Sequence, residues 1–278
     1  MTTEPPPISL ADFALTWAQT SDPPPWAPDD HTRPLAAIAG AARERMEDVL
    51  DTVVALQRAE WLQDGVFVGP RTAPDVYGDL LHCAQTLDVA VPPAILTRGV
   101  LESQRVVGTD PRPLLILSSG FHSLATVEER RFVIGRLLGH CALRHVTDLT
   151  TYALLVDQGG VRAVARRAVG PLLELALAPL GLGMRMALSQ WHRSAELAAD
   201  RAGLLAAADL EASQRALLRI ALGVTPDADA QAYLDQLGRN TDAQSPGQWV
   251  EWLSNQPFMH KRMKALSDIA PTLLAESA

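Results

Sequence analysis

Apolar residues recur every three or four positions along most of the chain, and this helical period gives way to short branched runs only between residues 94 and 117. From 35 to 62, Met46, Val49, Leu50, Val53, Val54 and Leu56 share one stripe with charges between them, which predicts one long helix. A second helix is expected over 75–88. Val91-Pro92-Pro93 ends it, because a residue before proline is pushed out of the helical region. Ala94 to Thr97, Arg105 to Val107 and Leu114 to Leu117 are rich in branched residues and separated by Gly99, Gly108 and Pro113, so they predict a small sheet of roughly three strands. Thr126-Val127-Glu128-Glu129 then spells a capping box, in which hydroxyl and carboxylate satisfy free amides at a helix start. A long helix should run from about 127 to 157 and break at Asp157-Gln158-Gly159-Gly160. Further helices are expected over 161–188, 189–206 and 211–222. Trp249, Trp252 and Pro257 mark a mixed segment that closes over the body. No repeat of fixed period is present.

These elements predict an α+β fold, predominantly helical, with the small sheet packed beside the helix that starts at 127. Proline is crowded into residues 1–34, including Pro5 to Pro7 and Pro23 to Pro25, and proline cannot donate to a helix or a ladder. We read 1–34 as an extended arm and 35–278 as one domain. Within the arm, residues 8–19 carry Leu10, Phe13, Leu15 and Trp17 at the spacing of a short amphipathic helix.

Composition narrows the partners. The chain of 278 residues is 47% hydrophobic, enough for a sizeable core. Its formal charge of −8, without a block of Lys or Arg, gives no footprint for a phosphate backbone, so nucleic acid is not expected. The start Met1-Thr2-Thr3-Glu4 lacks the basic and apolar runs of a secretory signal. Cys83 and Cys141 are too few for a disulfide framework, and a cytoplasmic location is expected. The segment 169–188 is largely apolar, but Glu174, Arg185, Pro171 and Pro179 interrupt it. It reads as a buried or membrane-touching hairpin rather than a span.

Two stretches carry the candidate chemistry. Arg136-Leu137-Leu138-Gly139-His140 lies in the helix starting at 127, and His192-Arg193-Ser194-Ala195-Glu196, continuing through Ala199, Asp200 and Gly203, lies in a later one. Arg136 and His140 are one turn apart and share a face, as do Glu196 and Asp200. Such pairs on an amphipathic helix are usually a solvated face. Here two occur in order, in two helices that follow a small sheet. His140, His192 and Glu196 could make a three-ligand metal site, with His145 or Cys141 as weaker candidates. His31, His82, His122 and His260 lack partners at metal spacing. Glu128 and Glu129 read as helix-cap and surface charges, and both cysteines as small buried hydrophobes.

Over roughly residues 71 to 270 the chain resembles the gluzincin metallopeptidases of family M forty-eight, typified by HtpX and the CaaX prenyl proteases. The family's His-Glu-Leu-Gly-His, with a further His five residues on, aligns with Arg136, Leu137, Leu138, Gly139, His140 and His145. Its second signature, Arg-x-x-Glu-x-x-Ala-Asp-x-x-Gly, is complete as Arg193, Glu196, Ala199, Asp200 and Gly203. Ser118-Ser119-Gly120, Arg262 and Leu266 add to the likeness. The family's edge strand is degraded to Ser103-Gln104-Arg105-Val106-Val107-Gly108, and its His-Pro pair appears as Gln256-Pro257.

The resemblance implies a zincin-like fold and a zinc held by two histidines and a glutamate, of which His140 and Glu196 remain as remnant ligands. Arg136 replaces the first histidine, and a guanidinium presents only donors and keeps its proton. Leu137 stands where the general base belongs and cannot take a proton from water. No catalytic residue of the family mechanism is intact. The expectation is a protein- or peptide-binding pseudoenzyme without a cofactor, in which Arg136 forks onto Glu196 in place of the metal. One alternative is an active zinc metalloendopeptidase using His140, Glu196 and His192. Another is a structural subunit that assembles through the arm.

Overall fold

In the computed structural model of the chain, Gly40 divides the first predicted helix. A 3-10 turn spans Pro34–Ala37, and α1 runs Ala41–Trp61. Gly40 between them takes φ +63°, a conformation that carries little penalty only for glycine. The structure describes residues 24, 26–28, 33–38, 40–98, 104–156, 170, 182–222, 232 and 259–276. The amphipathic stretch at 8–19, the break at 157–160 and most of the expected helix at 161–188 lie outside them. So do Trp249, Trp252 and Gln256.

After α1 come β1 (Gly65–Phe67), α2 (Pro74–Thr86), β2 (Ala94–Thr97), β3 (Arg105–Thr109) and β4 (Arg112–Ser118). The sheet has four strands in the order β1-β2-β4-β3, with only β2 and β4 parallel. Sequence reasoning missed β1, which has three residues, with Val66 and Phe67 exposed, and so carries no inward-outward pattern to read. The other strands are covered on both faces. Ile95, Val107, Leu114 and Ile116 pack with Val54 of α1, while Ala94, Val106, Leu115 and Leu117 join the core with Leu80, Leu137 and Leu138. Alternation of Cβ direction along each strand produces this division. Apolar residues on both faces also explain the unbroken run Leu114 to Leu117.

The helix expected over 127–157 is two helices, α4 (Val127–Ala142) and α5 (Val146–Val156), which follow a short α3 (Ser119–Leu124). Thr126 and Glu129 form the predicted capping box. At the far end the amide of His145 donates to His140 O and that of Arg144 to Cys141 O, the paired bonds of a Schellman ending. Arg144 occupies the left-handed position of that motif with φ +55°, where glycine is usual. No glycine or proline announced the stop, so the periodicity ran on through it.

The boundary expected near 188 is absent, because α6 is continuous from Leu182 to Ala207. α7 (Leu210–Leu222) follows. The last element among the described residues is α8 (Met259–Glu276), which packs on α6 and α7, while the mixed segment expected around Trp249, Trp252 and Pro257 lies outside them. The two signature helices, α4 and α6, lie against each other through small residues. A Cβ on Gly139 would stand 2.5 Å from Ala202 Cβ, and one on Gly203 would stand 2.7 Å from the carbonyl oxygen of Phe132. Close backbone approach there brings the polar stripe of each helix within reach of the other.

α5 ties the N-terminal turn to the body. Asp148 Oδ1 accepts the amide of Leu35 at 3.0 Å. Burial pushes the Asp148 carboxyl up, and the neighbouring Asp110 adds to this against the opposing pull of the Leu35 amide, Arg33 and Arg43, to about 6. A folded-state value above the unfolded one means that the group's contribution is fully present below the unfolded value and is lost as pH rises through about 6. Asp148→Asn keeps the acceptor for Leu35. It is expected to stabilise the protein at pH 8 by on the order of 2 kcal/mol, with the gain fading toward pH 4 in urea titrations. An equal change at both pH values would contradict this.

Candidate functional site

The polar residues of α4, α6 and α8 converge in one buried cluster. Arg136 Nη2 donates to Glu196 Oε2 at 2.5 Å. Its Nε lies 2.5 Å from Asp200 Oδ1 with the N–H not aimed at that oxygen, an ionic contact rather than a hydrogen bond. The guanidinium is thus divided between two carboxylates instead of forking onto Glu196 alone. Arg262 comes from α8 and grips Asp200 in a fork, Nε to Oδ2 at 2.8 Å and Nη2 to Oδ1 at 2.7 Å, with Nη2 also 3.4 Å from Glu196 Oε2. Two guanidiniums and two carboxylates neutralise one another, which a buried charged group requires.

Burial alone would push the Glu196 carboxyl up. Arg136, His140, Arg262 and His192 together hold it well below the usual carboxylate range. Burial would likewise pull the Arg262 guanidinium down, but Asp200 and Glu196 raise it instead.

The histidines sit on the opposite side of Glu196. His140 Nε2 is 3.5 Å and His192 Nε2 is 3.8 Å from Glu196 Oε1. His140 Nδ1 and His145 Nδ1 are 3.2 Å apart, so one must carry the proton while the other accepts it. Tyr152 of α5 stacks on His192 with ring centroids 4.4 Å apart, and Trp191 meets His145 edge-on at 5.0 Å. Sequence reasoning missed both aromatic residues: Tyr152 lies outside both signatures, and Trp191, although next to His192, fills no position of either. Arg262, expected in the cleft from its likeness to the family, closes the charge balance.

The remaining candidates fall as follows. Leu137 is buried with sheet residues in the main apolar core, and Gly139 faces Ala202. Arg193 is half-buried on α6. Glu129 is a correction: it caps α4 as expected but is fully buried rather than on the surface, 3.2 Å from Arg215 Nε and 3.1 Å from Arg219 Nε. Cys83 and Cys141 are both buried, and burial pushes the Cys83 thiol up to about 12.

β3 contains the residues aligned with the family's edge strand, and the outer side of its C-terminal end is engaged. Gly108 N donates to Thr150 Oγ1 at 3.0 Å, and just beyond the strand Asp110 N donates to Thr147 Oγ1 at 2.9 Å. An added strand would have to displace both hydroxyls of α5.

A sequence model of Peptidase family M48 matches residues 82–270, more than half of the chain. The chain belongs to this family. It is also similar to the Plastoglobule-localized metallopeptidase 48, chloroplastic, of Arabidopsis thaliana, with 27% identity over 175 residues. That match covers 62% of this chain and 48% of the relative, so the chain spans about half the length of the curated relative it matches. The predominantly helical α+β fold with its small sheet agrees with this membership.

Family membership raises the question of zinc, which needs three deprotonated ligands around an open position. In this cluster Glu196 Oε2 is bound to a guanidinium that cannot release its proton, and that guanidinium belongs to Arg136, which stands where the family's first histidine ligand would be. Among the described residues no three His, Cys, Asp or Glu side chains are arranged to hold a metal ion. The donor set does not fit the family's metal. Nor is any helix among the described residues long and apolar enough to cross a membrane.

Proposed function

We propose that this member of Peptidase family M48 has lost zinc-dependent peptide hydrolysis and acts by binding a protein or peptide partner. One observation carries the reading: Arg136 lies against Glu196 and Asp200, where its fixed positive charge replaces that of a metal. Leu137 supports it, since an aliphatic side chain in the apolar core can neither activate water nor protonate a leaving amine. The engaged amides of Gly108 and Asp110 support the loss of hydrolysis alone, because an extended substrate would lose part of its backbone pairing there. We assign no cofactor. The two buried thiols fit a reducing compartment such as the cytoplasm.

The convergence of His140 and His192 on Glu196 Oε1 favours the second reading, a rearranged zinc peptidase. For that site to form, Glu196 would have to leave Arg136, and two buried guanidiniums, Arg136 and Arg262, would be left to share the one carboxylate of Asp200.

The purified full chain, supplied with zinc and incubated with a fluorogenic casein and a mixed peptide library, is expected to cleave neither above the buffer rate. Cleavage abolished both by a chelator and by Glu196→Gln would refute the proposal.

A further inference from the structure

Beside the buried cluster, separated from it by His145, lies a cavity of about 680 Å³. It follows one stripe of α6, from Ala187 through Trp191 and Ala198 to Arg201, and is closed on the other side by Arg33 and Pro34. Cavities of this size bind small molecules when apolar walls are combined with a few convergent polar groups. Here Trp191 supplies a flat apolar wall, and Gln190 and Ser194 supply polar groups at the exposed rim.

Among the described residues the charges of the cavity are not balanced. Arg33 is neutralised by Asp110, at 3.4 Å. Arg201, half-buried in the wall, makes no ion pair or hydrogen bond among the described residues. A partly desolvated guanidinium favours an anion, and a carboxylate matches its paired donors.

We propose that this cavity binds an amphipathic carboxylate, a small molecule whose apolar body lies along Trp191 and Ala198 and whose head is held by Arg201. The proposal goes beyond the loss of hydrolysis and does not depend on it, since none of Arg136, Glu196, Asp200 and Arg262 lines the cavity.

Titration of the full chain with decanoate below its micelle concentration tests this, read by calorimetry, with 1-decanol and acetate as partial probes. Decanoate is expected to bind saturably at one site, with decanol at least about tenfold weaker for the loss of one charge-assisted contact and acetate at least about tenfold weaker for the loss of the apolar body. Arg201→Gln, at a half-buried position, should weaken decanoate about tenfold while leaving decanol unchanged. Ser194→Trp, which fills the rim, should abolish binding, and both variants should unfold at the wild-type temperature. Equal binding of decanoate and decanol, an Arg201→Gln variant that binds like wild type, or no saturable binding would each overturn the proposal. A short peptide with a free C-terminal carboxylate that binds where decanoate does not would also overturn it, in favour of a protein terminus as the ligand.

Discussion

Replacing Arg136 with alanine is expected to destabilise the protein by about 3–5 kcal/mol, the penalty for removing one partner of a buried ion pair. The substitution leaves two carboxylates, Glu196 and Asp200, to the single guanidinium of Arg262, whose fork is already committed to Asp200. Like charges that close cannot both stay ionised without a second cation, so one of them will bind a proton at higher pH than before. The pH dependence should follow. In the wild type the Glu196 carboxyl is held well below the ordinary range, so its contribution is present above that range and lost only in strong acid. In Arg136→Ala the loss should begin at higher pH. Arg136→Lys should fall between the two, because an ammonium restores the charge but not the planar geometry that spans both carboxylates. Urea titrations at pH 5 and pH 8 measure this directly. An alanine variant within about 0.5 kcal/mol of wild type at both values would mean that Arg136 is a tolerated passenger rather than the cation on which the cluster depends.

The second large effect is a gain. Arg136→His with Leu137→Glu rebuilds the sequence His-Glu-Leu-Gly-His on α4, facing Glu196 across the close α4–α6 contact. Two imidazoles one turn apart and a carboxylate from the facing helix complete a three-ligand set with an open position. The double variant is expected to bind about one zinc per chain. Without metal it should be less stable than wild type, because Leu137 is buried and a carboxylate there has no partner. Zinc should restore that stability by mass action. Arg136→His alone should also take up zinc but gain no hydrolysis, which separates the loss of the ligand from the loss of the base. A folded double variant that binds no zinc would show that Arg136 does not stand at a ligand position.

How far these features could be read from residues alone depended on the kind of signal. The second signature was legible because its spacing is a property of one helix: Glu196 and Asp200 fall on one face whatever surrounds them. The capping box at Thr126 and Glu129 was legible for the same local reason. Element ends were less so. Arg144 ends α4 in a conformation normally left to glycine, and tertiary packing imposes it where the local sequence gives no cue. The division of Arg136 between two carboxylates and the arrival of Arg262 from α8 depend on how three distant helices pack, and so escaped a reading made one helix at a time. Tyr152 on His192 and the α5 hydroxyls on the edge of β3 escaped for that reason also.

The most direct test is the zinc content of the full chain, purified, equilibrated with excess zinc, freed of loose metal by gel filtration and analysed by mass spectrometry of the elements. With a guanidinium seated against Glu196, the expected value is below about 0.1 zinc per chain, unchanged in Glu196→Gln. About one zinc per chain in the wild type, lost when Glu196 or His140 is replaced, would contradict it.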